Sequence, residues 1–287
     1  MRFTKMQGCG NDYIYVNCFE ESVQDPSSLA IELSDRRYGI GSDGLILIEP
    51  SERADAFMHM FNRDGSEGAM CGNGVRCVAK YIYDNRMVPP EKTNVSIDTR
   101  AGVKEVRLDI REGKAVGATV DMGIAVISEA SEHLTIGGKD LCFTAVNTGN
   151  PHAVFFLEDN PDLSEYAAEE PFYGGRSCDA LGGIPLETIG PAIESSGRFP
   201  NGVNSEFIEL ISPEEISFRV WERGSGETYA CGTGATAAVA AGCFTGKLES
   251  KVLVHLKGGD LEIECDMATG RCFMTGPAVT VFTGEIK

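Results

Sequence analysis

The sequence predicts an α+β fold of two structurally similar domains arising from internal duplication, each a curved, mostly antiparallel sheet wrapped around a central helix. Three observations carry that expectation. The chain matches itself at an offset of 160 residues, which sets Cys231 on Cys71. Long stretches alternate apolar and polar residues with the period of two that half-buried strands require. Strand-like and helix-like segments do not alternate regularly, which disfavours a doubly wound parallel sheet.

The self-match is densest around the two cysteines. AFMHMFNRDGSEGAMCGNG ends at Gly74 and ISFRVWERGSGETYACGTG ends at Gly234, pairing Arg63 with Arg223, Glu67 with Glu227, Gly72 with Gly232 and Gly74 with Gly234. A self-match at so long a period marks duplicated architecture. Earlier in each half, CGNDYIYV places Asn11 before a strand-like run, as TGNPHAVFF places Asn150. Next, SSLAIELSDRRYGIG (residues 27–41) has the apolar spacing of an amphipathic helix, with Gly39 placed to stop it, and its counterpart is LETIGPAIESSGRFPNG (residues 186–202). The two asparagines are 139 apart rather than 160, so the second half carries about 21 extra residues within roughly 159–183. That insertion reads as an acidic surface loop or lid.

After Cys71 the apolar residues Val75, Val78, Ala79 and Ile82 recur at helical spacing, so Cys71-Gly72-Asn73-Gly74 falls at a helix N-terminus. After Cys231 the run GATAAVAAGCF is apolar all round, which predicts a helix buried at the centre of its half. Residues 95–99, 103–110 and 251–265 read as strands, with turns at 111–114, 258–259 and 268–270. The first domain is expected over residues 1–116, completed by a returning strand at 276–287, and the second over 117–275.

Composition narrows the function classes. With 43 acidic against 25 basic side chains the 287-residue chain carries a net charge of -18, which repels phosphate backbones and anionic lipid. Neither a nucleic acid nor a membrane is an expected partner. The segment MRFTKMQGCGNDY lacks the basic-then-apolar pattern of a signal peptide, and no apolar run approaches the roughly 20 residues that span a bilayer, so a cytoplasmic location is expected. The ten cysteines are scattered along a large chain, and most are expected as free thiols. No C-x2-C pair occurs, and His59, His133, His152 and His255 stand apart, so no metal is expected.

A cysteine at a helix N-terminus meets free backbone N–H groups and the positive end of the helix dipole. That position predicts a lowered thiol pKa, and the glycines that follow let a substrate anion approach the backbone donors. Two such sites facing each other would clamp one carboxylate and set a thiol on each side of the adjacent Cα. Stereoinversion needs that arrangement, with a base on one face and an acid on the other. Taken singly, each C-G-x-G reads rather as a buried cysteine capping a glycine-rich turn, and it is the duplication that favours the chemical reading. Neither element reads as G-x-G-x-x-G after a strand, which disfavours nucleotide binding. A redox couple of Cys71 and Cys231 stays open.

NRDGSEGAMCGNGVRC, GNPHAVFF, FPNGVNSEF and RVWERGSGETYACGTGA together resemble the diaminopimelate epimerases, and the resemblance runs the length of the chain. It implies that family's two-domain fold, no cofactor (pyridoxal phosphate included), conversion of LL-diaminopimelate to the meso form in lysine and cell-wall precursor synthesis, and a homodimer acting on a small amino-acid substrate. It implies Cys71 and Cys231 as the catalytic pair, with Gly72, Asn73, Gly232 and Thr233 holding the reacting carboxylate. Asn11, Asn62, Asn150, Asn204, Glu222 and Arg223 match the family's substrate-binding positions. Arg223 can fork onto a distal carboxylate and Glu222 can accept from an ammonium. His152 lies in a family motif near the site. Gly44 stands where some members carry glutamine, so a side-chain contact to the substrate amine is expected to be missing. The alternatives are a racemase of another amino acid, such as histidine, and a non-catalytic amino-acid-binding or redox-sensing protein.

Overall fold

The computed structural model describes residues 1–164 and 179–286. The chain forms two compact units, Met1–Asp121 with Thr275–Lys287, and Met122–Met274.

In the first unit a tight turn joins β1 (Arg2–Gly8) to β2 (Asn11–Asn17). Cys9 and Gly10 in that turn have φ of 52° and 77°, the left-handed pair that a two-residue hairpin needs to match strand twist. Helix α1 (Pro26–Ser34) starts on the Asp25 carboxylate, which accepts from the Ser28 N–H. It stops before Asp35, earlier than the expected Gly39, because Asp35 captures the N–H groups of Arg37 and Tyr38 and turns the chain. Then come β3 (Gly44–Glu49), β4 (Ala56–Asn62), β5 (Glu67–Gly68), α2 (Gly72–Asp84), β6 (Asn94–Asp98), β7 (Lys104–Arg111) and β8 (Lys114–Ile124). The pairs β2/β3 and β4/β6 are parallel, whereas β1/β2, β3/β4, β4/β5, β6/β7 and β7/β8 are antiparallel.

The second unit repeats the scheme. A long hairpin of β9 (Val126–Ile136) and β10 (Lys139–Asn147) leads to β11 (Pro151–Phe156), antiparallel to β10. The short helices α3 (Pro161–Ser164) and α4 (Asp179–Gly183) precede α5 (Leu186–Glu194). Most of the expected insertion, residues 165–178, lies outside the described residues. Strand β12 (Asn204–Ser212) runs parallel to β11 and antiparallel to β13 (Glu215–Glu222). The unit continues through β14 (Gly226–Glu227), α6 (Gly232–Phe244), β15 (Lys251–Leu256), β16 (Gly259–Asp266) and β17 (Arg271–Pro277), with β13 and β15 parallel. Finally β18 (Val279–Glu285) adds to the first unit, antiparallel to β1.

In each unit the central strands are covered on two sides, and strand parity decides which side a residue serves. In the first unit Ile14, Val16, Leu45 and Leu47 pack with Ala30 and Leu33 of α1. In the second, Ala153, Phe155 and Phe207 pack with Leu186, Ile189 and Ile193 of α5. The alternate residues turn toward the cysteine-bearing helices: Ile46 approaches Gly74 of α2, and Glu206 approaches Gly234 of α6. Helix α6 is buried from Ala235 to Cys243. A fully buried valine such as Val239 contributes roughly 1.5–3 kcal/mol by leaving water.

Cys265 and Cys272 are joined by a disulfide between β16 and β17, whose Cα atoms are 4.2 Å apart there. The other seven described cysteines are free thiols. Among the described residues no helix is long and apolar enough to cross a membrane.

Candidate active site

Each unit offers one half-site, built on the N-terminus of its 13-residue helix. In the first, Cys71 is the N-cap of α2, with extended backbone and with its sulfur 3.4 Å from the Gly74 N–H. The ladder of α2 begins with the Val75 N–H on the Cys71 carbonyl, so the peptide groups of Gly72 and Asn73 form the positive end of the helix. The Cys71 thiol donates to Asn11 Oδ1 at 3.3 Å, and Asn73 Nδ2 donates to the same oxygen at 3.4 Å.

Two braces hold these groups. Asn11 Nδ2 donates to Asp43 Oδ2 at 3.0 Å, and Arg36 in turn donates to Asp43. Burial, then the neighbouring Asp12 carboxylate, raises the Asp43 pKa. Behind Asn73, Arg76 is wholly buried and donates from Nη2 to Asn73 Oδ1 at 2.8 Å and from Nε to the Pro277 carbonyl at 3.1 Å. Asn62, half-buried at the end of β4, donates its amide to Ser66 Oγ at 3.0 Å rather than joining the Cys71 cluster. Gly44 lies opposite both Tyr13 and Asn62 in the sheet. A Cβ there would stand 2.1 Å from the Phe61 carbonyl oxygen and 2.9 Å from the Tyr13 ring. The expected missing contact is therefore no open gap: the Tyr13 ring and the β4 backbone fill the space a side chain would take.

In the second unit Cys231 is the N-cap of α6, 3.4 Å from both the Gly234 N–H and Thr233 Oγ1. Here the expected lowering of the thiol pKa is corrected. Burial first, then the Glu222 and Glu206 carboxylates, push the Cys231 thiol well above its ordinary range, and the Thr233 and Gly234 hydrogen bonds do not offset them. Glu222 accepts from Thr228 Oγ1. Burial raises the Glu222 pKa against the hydrogen bonds from Thr228 and Cys231.

His152 is buried between two oxygens, with Nε2 2.9 Å from Asn150 Oδ1 and Nδ1 2.7 Å from Glu206 Oε1. Asn204 sits opposite His152 in the parallel pair, accepts the Arg223 N–H at 2.9 Å and donates to the Pro151 carbonyl at 3.4 Å. Arg223 is exposed, and its Nη1 rests on the Asn201 carbonyl at 2.6 Å.

Asn11, Cys71 and Asn73 thus meet in one half-site. In the other, Cys231 meets Thr233 and Glu222, Asn150 meets His152, and Asn204 meets Arg223. The 160-residue offset makes Gly44 the counterpart of Asn204, Asn62 that of Glu222, and Asn73 that of Thr233.

Sequence reasoning missed Asp43, Arg76 and Glu206. Arg76 and Glu206 are charged residues inside runs that are otherwise buried, and that contrast was the available signal. Asp43 follows directly on Ser42 in the loop before β3, where nothing in the spacing singles it out. Among the described residues no three His, Cys, Asp or Glu side chains converge as metal ligands.

The fold is one that solved epimerase and biosynthetic structures share. A hydroxyproline epimerase from Agrobacterium vitis superposes with a TM-score of 0.70 at 16% identity, covering 99% of this chain and 91% of that one. A PhzF-family phenazine biosynthesis protein from Bacillus anthracis gives 0.72 at 15% identity, covering 100% and 99%. Sequence comparison goes further. The family model described as diaminopimelate epimerase matches residues 3–128 and 144–281, and the chain belongs to that family. Relatives named diaminopimelate epimerase from Acetivibrio thermocellus and Agathobacter rectalis are 47% and 45% identical, each covering 100% of this chain and 98% and 99% of the relative.

Proposed function

We propose that the chain is a pyridoxal-phosphate-independent isomerase that interconverts LL- and meso-diaminopimelate in the cytoplasm, in lysine and cell-wall precursor biosynthesis. The observation that supports this best is the repetition of the half-site. Each unit presents a cysteine as the N-cap of an equivalent helix, followed by glycines that leave the first peptide groups approachable. A reaction that inverts one carbon needs a base and an acid of matched reach, and a duplicated thiol supplies both.

The N–H groups of Gly72, Asn73, Gly232 and Thr233 receive the carboxylate next to the reacting carbon. Asn11 and Asn150 border it with neutral amides, Asn62 and Asn204 hold the neighbouring polar groups, and Glu222 accepts from an ammonium. Arg223 exchanges the Asn201 carbonyl for the distal carboxylate, which its guanidinium can grip with two parallel hydrogen bonds. Cys231, held as a thiol by burial and its acidic neighbours, is the resting acid. In the first direction the Cα–H bond breaks as the Cys71 thiolate takes the proton, and Cys231 delivers its proton to the opposite face. The roles reverse for the other isomer.

The test is deuterium incorporation at Cα in deuterated water under reducing conditions, over a panel of diaminopimelate isomers and single L-amino acids including histidine. Diaminopimelate should exchange with the parent enzyme, and Cys71→Ala and Cys231→Ala should each abolish net epimerisation. Exchange confined to a single-headed amino acid would reassign the substrate. Binding without any exchange would make the protein a sensor or carrier. The partner we propose is a second copy of the chain, and a monomer mass in light scattering would remove it.

A further inference from the structure

Glu206 is a buried acid to which the proposed chemistry gives no contact with the substrate and no proton to carry. It lies in β12 with no exposure, one oxygen 2.7 Å from His152 Nδ1 and the other, Oε2, buried without a hydrogen-bond partner. A buried carboxyl with an orphan oxygen costs stability, so packing does not explain it. The duplicated half makes the same point: at the 160-residue offset Glu206 corresponds to Ile46, and that strand builds the same parallel and antiparallel pairs with a hydrocarbon there.

We propose that Glu206 is the positioning residue of the second half-site, fixing the His152 ring so that Asn150 presents its amide N–H groups, not its oxygen, to the substrate; this rests on the epimerase reading above. One proton lies between Nδ1 and Oε1, and wherever it is drawn, on ring or carboxyl, the pair is neutral overall. Nε2 carries its own proton because it faces the Asn150 oxygen at 2.9 Å. Asn150 Oδ1, which also receives Thr148 Oγ1 at 3.4 Å, is thereby committed inward, and its amide nitrogen is turned the other way. Asn11, the counterpart, is oriented oppositely: Asp43 ties down its nitrogen, and its oxygen accepts the Cys71 thiol. The same relay of acid and amide thus exposes an acceptor in one half-site and a donor in the other.

Glu206 also bears on the cysteine helix. A Cβ at Gly234 would stand 2.8 Å from Glu206 Oε1 and 3.2 Å from Cys231 Sγ, so the carboxyl occupies the ground directly behind the first turn of α6. His152, Glu222 and Cys231 are the titratable groups that bear on it there.

The test uses full-length protein carrying Glu206→Ile, the residue the duplicate tolerates, with Glu206→Gln as the conservative variant and Asn150→Ala as the endpoint. In 15N-resolved spectra of the parent, the His152 Nε2–H should exchange slowly with water. E206I should speed that exchange at least about 10-fold, as expected when a hydrogen bond holding a buried group is lost, and E206Q should restore much of the protection. Kinetically, E206I should raise KM for diaminopimelate about 10-fold, with kcat changed less, and should add little in an N150A background. A lower kcat at unchanged KM, or effects that simply add in the double variant, would reduce Glu206 to a fold residue and overturn the proposal. If the parent itself fails to exchange Cα protons, the epimerase reading falls, while the His152 exchange data still decide whether Glu206 anchors the ring.

Discussion

Gly74 and Gly234 occupy equivalent positions three residues after the two cysteines, yet replacing each by alanine should have different consequences. At Gly74 the new methyl meets Ile46 Cδ1 at 2.8 Å and Met58 Sδ at 3.4 Å, flexible side-chain ends that can rotate away. At Gly234 it meets Glu206 Oε1 at 2.8 Å, Phe218 Cζ at 3.1 Å and Cys231 Sγ at 3.2 Å. The carboxyl is pinned by His152 and the rigid Phe218 ring has no free end to swing aside, so neither can yield cheaply, whereas the equally buried ends of Ile46 and Met58 can change rotamer. Overpacking a tight core site costs about 1–3 kcal/mol. Alanine for glycine within a helix returns at most about 1 kcal/mol. Gly234→Ala should therefore lose about 1–2 kcal/mol, and Gly74→Ala should lie within about 0.5 kcal/mol of the parent. Urea unfolding followed by circular dichroism reads the difference as a lower midpoint for G234A at an unchanged slope. Equal midpoints for the two variants, or a stabilised G234A, would refute the claim that the buried carboxyl fixes this glycine.

Glu222→Gln removes a carboxylate that opposes the Cys231 thiolate, so the pH at which iodoacetamide alkylates Cys231 should fall, and an unchanged or higher pH would contradict the opposing field of Glu222. Burial raises the Cys77 thiol from 9.0 to about 11. The folded state thus holds that proton more tightly than the unfolded chain; the associated stability is intact below pH 9 and drains away as pH rises through about 11. Cys77→Ala should flatten this alkaline decline in urea titrations, and an identical decline in parent and variant would count against it. Gly44→Gln should lower the melting temperature through collision with the Phe61 carbonyl and the Tyr13 ring, at an overpacking cost of about 1–3 kcal/mol. A variant as stable as the parent would show that β3 can shift away from β4.

Much of the fold was legible because duplication and strand alternation report on backbone and burial together. The two helices after Cys71 and Cys231 follow from apolar spacing, and their N-caps from the glycines. The end of α1 was not legible, because a local capture of two N–H groups by Asp35 outweighed the glycine that looked like the stop signal. The state of Cys231 was hidden for a different reason. Helix-end position is written in local sequence, whereas the desolvation and the acids that oppose it come from β12 and β13, which reach α6 only in the folded unit. For Asn62 the motif gives a position but not its local partner, Ser66, whose hydroxyl accepts from the amide.

The two-sided sheets have a consequence for how such a protein can change over time. Along β11 and β12, odd-numbered Ala153, Phe155 and Phe207 build the layer under α5, while even-numbered His152 and Glu206 face the reactive helix. Substitutions on one register can remodel chemistry while the other preserves the scaffold, so the strands carry two interleaved inheritances. A deletion of a single residue would swap them, sending phenylalanine toward the thiol and the acid into the aliphatic layer. Lineages of this fold are free to drift by replacement at these strands but not by changes in length, and insertions should accumulate in the connections, as they do between β11 and β12.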